Sequence, residues 1–572
     1  MARRTHRLTW RLLLLMLVLL VGVVGIVVRL VQVQIVDQDY YARQAEDQHL
    51  HRTVVRAPRG AILDRNGYPL ATTVAAFDIY IDPRSWNSDW AALEGAAVAA
   101  PLLGREPGEL IDAARKQEQG DYLAARQVPA GVGLQLMELA PPGVKAVKTS
   151  VRFYPEGDLG SSVIGFIGRD QVGLAGVEAD LDADLGGVPG TVYLERDALG
   201  NPIPFGRRVG DDPEPGGDVR LTIDRYIQRL VEQKLDIEVQ RHGAKGGTII
   251  VMDPKTGEVL AMASRPSFRL TQLNLEDPGQ MDLYRNRAVT DVYDPGSVMK
   301  TVTMAAAVDL GLVAPGSTYV DTGEAYVEGA APITNWDFSA HGTTTMTQLL
   351  QFSLNTGAVW LSGLLGPDRF YEYVQRFGFT EATGAGLGGE PAGIVRTNHD
   401  EGWYPIDLAT NSFGQSLSVT PLHMATAISA LVNGGSLMRP YIVKEVAGPN
   451  GHRVFEPVVV RRAVSEETSR TLVQMMEAVV DGMPGHLAQV PGYRVGGKTG
   501  TTTFPDRAET IASFAGFAPA EDPRFVMLIK IDAPQDSSLG GVVAAPIFAG
   551  LAPQILSYLG VHPSVGFVEG NP

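Results

Sequence analysis

The chain has 572 residues, enough for about four domains of roughly 150 residues or for two large ones. With 45% hydrophobic and 20% charged residues it can bury a real core, which excludes a chain disordered or fibrous throughout. The net charge of -16 argues against a duplex nucleic-acid binder, and the absence of cysteine excludes disulfide frameworks, Cys-ligated zinc, iron–sulfur clusters and a thiol nucleophile.

Leu12 to Val28 is an unbroken apolar run of 17 residues, about 25 Å long as a helix, which Trp10 and Leu30–Val31 extend to bilayer length. Arg3, Arg4, Arg7 and Arg11 precede it without an acidic residue among them, so residues 1–11 are expected in the cytoplasm and 12–31 in the membrane. The run is long for a signal-peptide core and no small-x-small site follows it, so an uncleaved anchor is expected, with the remainder outside the cytoplasm. Next, Ile62 and Leu63 lead into Asn66-Gly67, a hairpin turn. Residues 89 to 140 predict short helices interrupted by Pro101, Pro107 and Pro129, and the glycine-rich stretch Arg152 to Gly200 predicts an irregular, mostly β segment.

Gly210 to Gly217, with two prolines and three acids, predicts a linker and a domain boundary, dividing residues 32–212 from 213–572. Beyond it, alternation at Val219, Leu221 and Ile223 predicts a strand, and Ile227, Leu230, Val231 and Leu235 a helix. Thr248–Met252 and Glu258–Ser264 flank a turn as a hairpin; Phe525–Ile531 is a strand and Ala545–Leu559 a final helix. Strands at both ends with helical sequence between them predict an α+β (mixed α/β) domain whose sheet unites its two ends.

Ser297 and Lys300 follow Asp294-Pro295-Gly296 at a predicted helix start, three residues apart on one face. A hydroxyl needs a base to take its proton, and a neutral lysine can do so if burial or a second cation lowers its pKa from about 10.4. The plain alternative is an N-terminal serine beside a solvated lysine. Ser353 and Asn355 can enter one cleft only where the backbone leaves regular helix, although Ser85-Trp86-Asn87 has the same spacing by accident. Lys498-Thr499-Gly500-Thr501 is read as a strand leading to a turn, with free N–H groups, a cation and two hydroxyls suited to a carboxylate or oxyanion. Lys255-Thr256-Gly257 repeats the triplet, but it precedes Ser297 and reads as an ordinary hairpin turn.

In this order, Ser297-x-x-Lys300, Ser353-x-Asn355 and Lys498-Thr499-Gly500 resemble the motifs of the penicillin-recognising serine enzymes. Together with the anchor, Arg59-Gly60 through Asn66-Gly67, Gly173 to Glu178, and Tyr293 to Ser297, the chain resembles the monofunctional class B penicillin-binding proteins over nearly its whole length. Ser513 to Ala520 is most similar to the division-specific, septal members. Asp294 occupies a position where that family more often has glutamate, and Ser416 one where glycine is usual.

The resemblance implies a D,D-transpeptidase that cross-links peptidoglycan stem peptides and is inhibited by β-lactams. It implies a central antiparallel sheet flanked by helices, raised on an elongated, mostly β pedestal of the dimerisation type. Ser297 would be the nucleophile and Lys300 its base, Ser353 and Lys498 a proton relay, and Asn355 a substrate-amide ligand. Thr499, Gly500 and Thr501 would bind substrate, with the Ser297 and Thr501 N–H groups as oxyanion hole. No metal or cofactor is implied; the implied partners are a membrane-embedded glycan polymerase and division proteins. The alternatives are an elongation-type transpeptidase, a D,D-carboxypeptidase or β-lactamase, and a non-catalytic β-lactam sensor or scaffold.

Overall fold

In the computed structural model, which describes residues 2–41, 50–195, 208–449, 451–503 and 509–563, the apolar N-terminal segment lies in the helix Ala2–Val31. Trp10–Val36 has a mean hydropathy of 3.0 and buries none of its surface in protein, as a candidate membrane span does. Gly540–Tyr558 is also long and apolar, but it is largely buried and belongs to a soluble core.

The chain forms two compact units, one of Met1–Pro58 with Gly187–Pro215 and one of Arg59–Gly186 with Gly216–Pro572. In the first, Leu50–Val55, Gly190–Glu195 and Arg208–Asp211 make a three-stranded antiparallel sheet. The stretch read as a free linker is therefore partly paired: Arg208–Asp211 is a strand, and Glu214 exchanges both backbone hydrogen bonds with Val188 at 2.9 Å.

In the second unit, Asn66-Gly67 turns the chain between Ile62–Leu63 and Pro69–Ile81, with the Asp64 carboxylate accepting from the N–H groups of Asn66 and Tyr68. Pro69–Ile81 pairs with Tyr122–Pro129 and Val144–Phe153, and the expected helices occupy Asp89–Leu102, Pro107–Arg115 and Ala130–Leu139. The mostly β expectation for Arg152–Gly200 is corrected: after strand Val144–Phe153 ends, Ser161–Ile164, Gly176–Asp180 and Asp182–Leu185 are helical turns, and Gly190–Glu195 is the next strand among the described residues; 196–200 lie outside them. Buried charge organises this segment rather than strand pairing. The Glu178 carboxylate accepts from Arg59 at 2.5 Å and from Arg152 at 2.7 Å, and Asp182 accepts from Arg59 at 2.6 Å.

The catalytic sheet has five antiparallel strands: β1 (Gly246–Met252), β2 (Val259–Arg265), β3 (Gly496–Thr503), β4 (Thr510–Ala518) and β5 (Phe525–Asp532), in spatial order β2-β1-β5-β4-β3. It unites both ends of the domain, as the sequence pattern requires. Both faces are covered, so the inner strands β1, β4 and β5 are rich in continuous apolar residues, whereas the edge strand β3 is made of glycine, threonine and Lys498. Ile249, Val251, Phe514 and Ile529 pack with helices Arg225–Arg241 and Ala545–Tyr558. Ile250, Met262, Ala515 and Leu528 face the other way, onto a core that includes helices α1 (Lys300–Asp309) and α2 (Pro421–Val432). Lys498 lies opposite Ala515 in register, so its side chain shares that second face.

Candidate active site

Pro295 and Gly296 end an extended segment, and residues Gly296–Met299 form one 3₁₀ turn that runs into α1. The turn places Ser297 Oγ 3.0 Å from Lys300 Nζ. Gly296 has φ 58°, and a Cβ there would lie 2.8 Å from the Thr501 carbonyl oxygen, so only glycine lets this turn approach β3 so closely. Gly500 completes the contact from the other side: its Cβ would meet Ser513 Oγ at 2.3 Å and the Pro295 oxygen at 2.9 Å.

Ser353 leaves helical geometry as expected. It caps helix Met346–Phe352 in the left-handed region at φ 57°, and Asn355 begins the next helix two residues later. Its carbonyl accepts from Lys300 Nζ at 2.7 Å, and Asn355 Oδ1 does so at 2.8 Å. A neutral amine has two N–H donors and one lone pair. The two carbonyl-type oxygens accept only, so they take both donors and leave the lone pair for the Ser297 hydroxyl. Lys300 is therefore built to hold Ser297 as a base holds its acid.

Lys498 enters from β3, which is an edge strand; the expected turn at this motif is instead continuous strand to Thr503. Its Nζ lies 3.0 Å from Ser353 Oγ, while Lys300 Nζ lies 3.3 Å from the same hydroxyl, so Ser353 bridges the two lysines. Both ammonium groups are buried, and neither has a carboxylate partner among the described residues. Burial and the neighbouring charge of Lys498 hold Lys300 well below the ordinary lysine range, and burial lowers Lys498 to about 7.

Strand alternation sets Thr499 and Thr501 on the side of β3 opposite Gly500, yet at this sheet edge Lys498 Nζ reaches back to the Thr499 carbonyl at 3.2 Å and to its Oγ1 at 3.4 Å. Thr501 Oγ1 accepts from the Gly540 N–H at 3.1 Å, and Thr499 Cγ2 lies beside Gly541. The structure thus brings Ser297, Lys300, Ser353, Asn355 and Lys498 into one hydrogen-bonded chain, with Thr499 at its Lys498 end and Gly500 and Thr501 against the Ser297 turn.

Sequence reading missed what supports this chain. Asn355 Nδ2 donates to the Thr334 carbonyl at 2.9 Å, and next to it Thr356 Oγ1 donates to Asp321 at 2.7 Å while Asn335 Nδ2 donates to the other Asp321 oxygen at 2.9 Å. Burial alone would push the Asp321 carboxyl up, but these bonds and those from the Gly323 and His341 N–H groups hold it low. No local pattern marks Asp321 or Asn335; their role exists only through contact across the fold. His486 is also lowered, by burial and by Lys498 nearby.

Residues 247–552 match the penicillin-binding protein transpeptidase domain and residues 54–221 the penicillin-binding protein dimerisation domain. The chain is 35% identical to stage V sporulation protein D of Bacillus subtilis, over 98% of this chain and 87% of that protein. It is 32% identical to the peptidoglycan D,D-transpeptidase FtsI of Escherichia coli, over 97% of this chain and 93% of the relative. Among solved structures it is similar to penicillin-binding protein 3 of Mycobacterium tuberculosis in complex with aztreonam, at 30% identity and a TM-score of 0.68, covering 90% of this chain and 98% of that one. A serine hydrogen-bonded to a buried lysine beside this two-faced sheet, in a chain matched along almost its full length, leads to one conclusion: the chain belongs to the penicillin-binding protein transpeptidase family and, with its dimerisation domain, to class B.

Proposed function

We propose that this chain is a septal peptidoglycan D,D-transpeptidase, anchored by residues 12–31 with residues 1–11 in the cytoplasm. Residues 32–212 form its pedestal and residues 213–572 the extracytoplasmic catalytic domain. The observation that carries the chemistry is the buried Lys300, whose two N–H donors are occupied by the Ser353 carbonyl and Asn355 and whose remaining position faces Ser297 Oγ at 3.0 Å.

Ser297 Oγ attacks the carbonyl carbon of the penultimate D-Ala of a donor stem while its proton passes to Lys300 Nζ. The oxyanion is received by the Ser297 and Thr501 N–H groups, each worth roughly 3 kcal/mol in a comparable acyl-transfer site. As the C–N bond breaks, the terminal D-Ala leaves as an amine that takes its proton through Ser353, with Lys498 restoring the relay. Asn355 orients the substrate amide; Thr499 and Thr501 hold the terminal carboxylate, and Gly500 lets the substrate backbone come close to β3. An acceptor amine from a second stem then attacks the Ser297 ester, giving the cross-link and freeing Oγ. A β-lactam enters by the same first step and stops there.

The relatives named as D,D-transpeptidases and the aztreonam complex of a similar protein support this reading. The septal role rests on the Ser513–Ala520 resemblance, and a membrane-embedded glycan polymerase and division proteins are the partners it implies. Intact-mass analysis of the full-length chain in detergent, mixed with benzylpenicillin, tests the chemistry. The expected result is a lasting adduct of one drug on the wild type and none on Ser297→Ala; turnover of the drug instead identifies a β-lactamase, and no adduct on either a scaffold.

A further inference from the structure

The Ser297 turn and β3 belong to segments about 200 residues apart, and β3, as the edge strand, has no further strand beyond it among the described residues to set its distance from that turn. Asp294 touches both sides of the gap and a third segment as well. Its carbonyl accepts from Thr502 Oγ1 at 2.7 Å, one residue beyond Thr501 on β3. Its carboxylate accepts from Ser418 Oγ at 2.6 Å and from the Ser416 N–H at 3.1 Å. Backbone bonds on either side fix the same turn: Tyr293 and Val419 exchange two at 2.9 Å, and the Gly296 N–H donates to the Gly414 carbonyl at 2.9 Å. Ser416 lies between those anchors with φ 62°, a conformation that costs a serine free energy and persists where the surroundings require it. The carboxylate is bonded to this strained residue's own N–H and to the Ser418 hydroxyl two residues on.

We infer that Asp294 is a positioning residue for acyl transfer, which sets the spacing between the Ser297 and Thr501 N–H groups by tying the nucleophile turn to Thr502 on one side and to the 416–418 turn on the other. This rests on the reading of Ser297 as the acylated nucleophile. Two donors can stabilise one oxyanion only if both lie about 3 Å from it, so a shift of one strand against one turn weakens the transition state while leaving ground-state contacts in place. The side chain of Asp294 touches neither Ser297 nor Lys300 among the described contacts, so its influence is exerted through geometry.

The test is stopped-flow acylation of the full-length chain in detergent by benzylpenicillin, resolving the binding constant K from the acylation rate constant k2, with burst amplitude reporting the competent fraction. Asp294→Asn keeps the shape but offers an N–H to one of two donors. Thr502→Val removes only the hydroxyl. Each is expected to lower k2 about ten- to a hundredfold with K within about threefold and full amplitude, the size of loss that slight misplacement brings. Thr502→Ser, which keeps the hydroxyl, is expected to stay within about threefold of wild type. The double variant Asp294→Asn/Thr502→Val should lose far less than the product of the two effects, because both act on one gap. Unchanged k2 in both single variants, a loss confined to K, or a loss of amplitude alone overturns the inference. Failure of the wild type to acylate overturns the underlying reading instead, so the two failures are separable.

Discussion

Two clusters in this molecule bury cations and put them to opposite uses. In the cluster around residues 152–182, Arg59 and Arg152 share Glu178, whose side chain has no exposed surface, and Asp182 adds a second acid. In the active site, Lys300 and Lys498 are equally buried but meet hydroxyl and carbonyl oxygens in place of carboxylates. A buried cation with a counterion keeps its charge and fixes structure; one without it gives up its proton and becomes a base. Residue type makes the same division, since guanidinium resists deprotonation and forks onto carboxylates, whereas an ammonium titrates when buried.

The largest expected effect that sharpens this contrast is Lys300→Met, which removes the base but preserves the volume of the side chain. Acylation by benzylpenicillin should fall about 10²- to 10⁴-fold, with the far-ultraviolet circular dichroism unchanged. An unaltered rate would mean that Ser297 is activated by another group.

Glu178→Gln should do the reverse. Removing the shared anion leaves the buried Arg152 uncompensated and Arg59 with Asp182 alone, a loss of about 3–5 kcal/mol in denaturant melts. The fraction that remains folded should acylate with the wild-type k2. If k2 falls at full burst amplitude, the Glu178 cluster also shapes the site and the division between the two clusters breaks down.

The pH dependence of k2/K separates the two lysines. Lys300 must be neutral to act, so activity falls on acidification below its depressed pKa, well under the ordinary lysine range. In the proposed relay Lys498 delivers protons, so activity should fall on the alkaline side as it deprotonates at about 7. Lys498→Arg, which stays protonated, should abolish the alkaline limb while leaving the acid limb in place.

The smallest effect concerns stability. An unfolded lysine holds its proton up to about 10.4, whereas folded Lys498 releases it at about 7. Between those values the unfolded chain binds more protons, so stability contributed at this position rises with pH and is lowest below about 7. Lys498→Met should therefore melt higher than the wild type near neutrality, with the gain shrinking as pH approaches 10. A gain independent of pH would assign it to packing alone.

Much of the site was legible because its chemistry is carried by residue types at short spacing. Ser297 and Lys300 are three residues apart, and the helix start that aligns them is announced by Pro295-Gly296. Ser353 was expected to leave the helix, and it does so in the left-handed region. The strands and helices at both ends of the catalytic domain were legible through apolar periodicity. By contrast, the helical turns at 161–185 were misread, because their organising force is an ion cluster joining positions as distant as Arg59 and Glu178. The Asp321–Asn335–Thr356 support and the Asp294–Thr502 tie were illegible for the same reason.

The sequence alone determined the kind of protein: an apolar N-terminal helix long enough to cross a membrane, a mixed α/β domain, and three ordered motifs with serines, two lysines and an asparagine. Only the tertiary structure decided what those lysines are chemically. A pKa depends on desolvation and on the charges within a few ångströms, and for Lys300 those are set by Ser353, Asn355 and Lys498, which arrive from elements up to about 200 residues away.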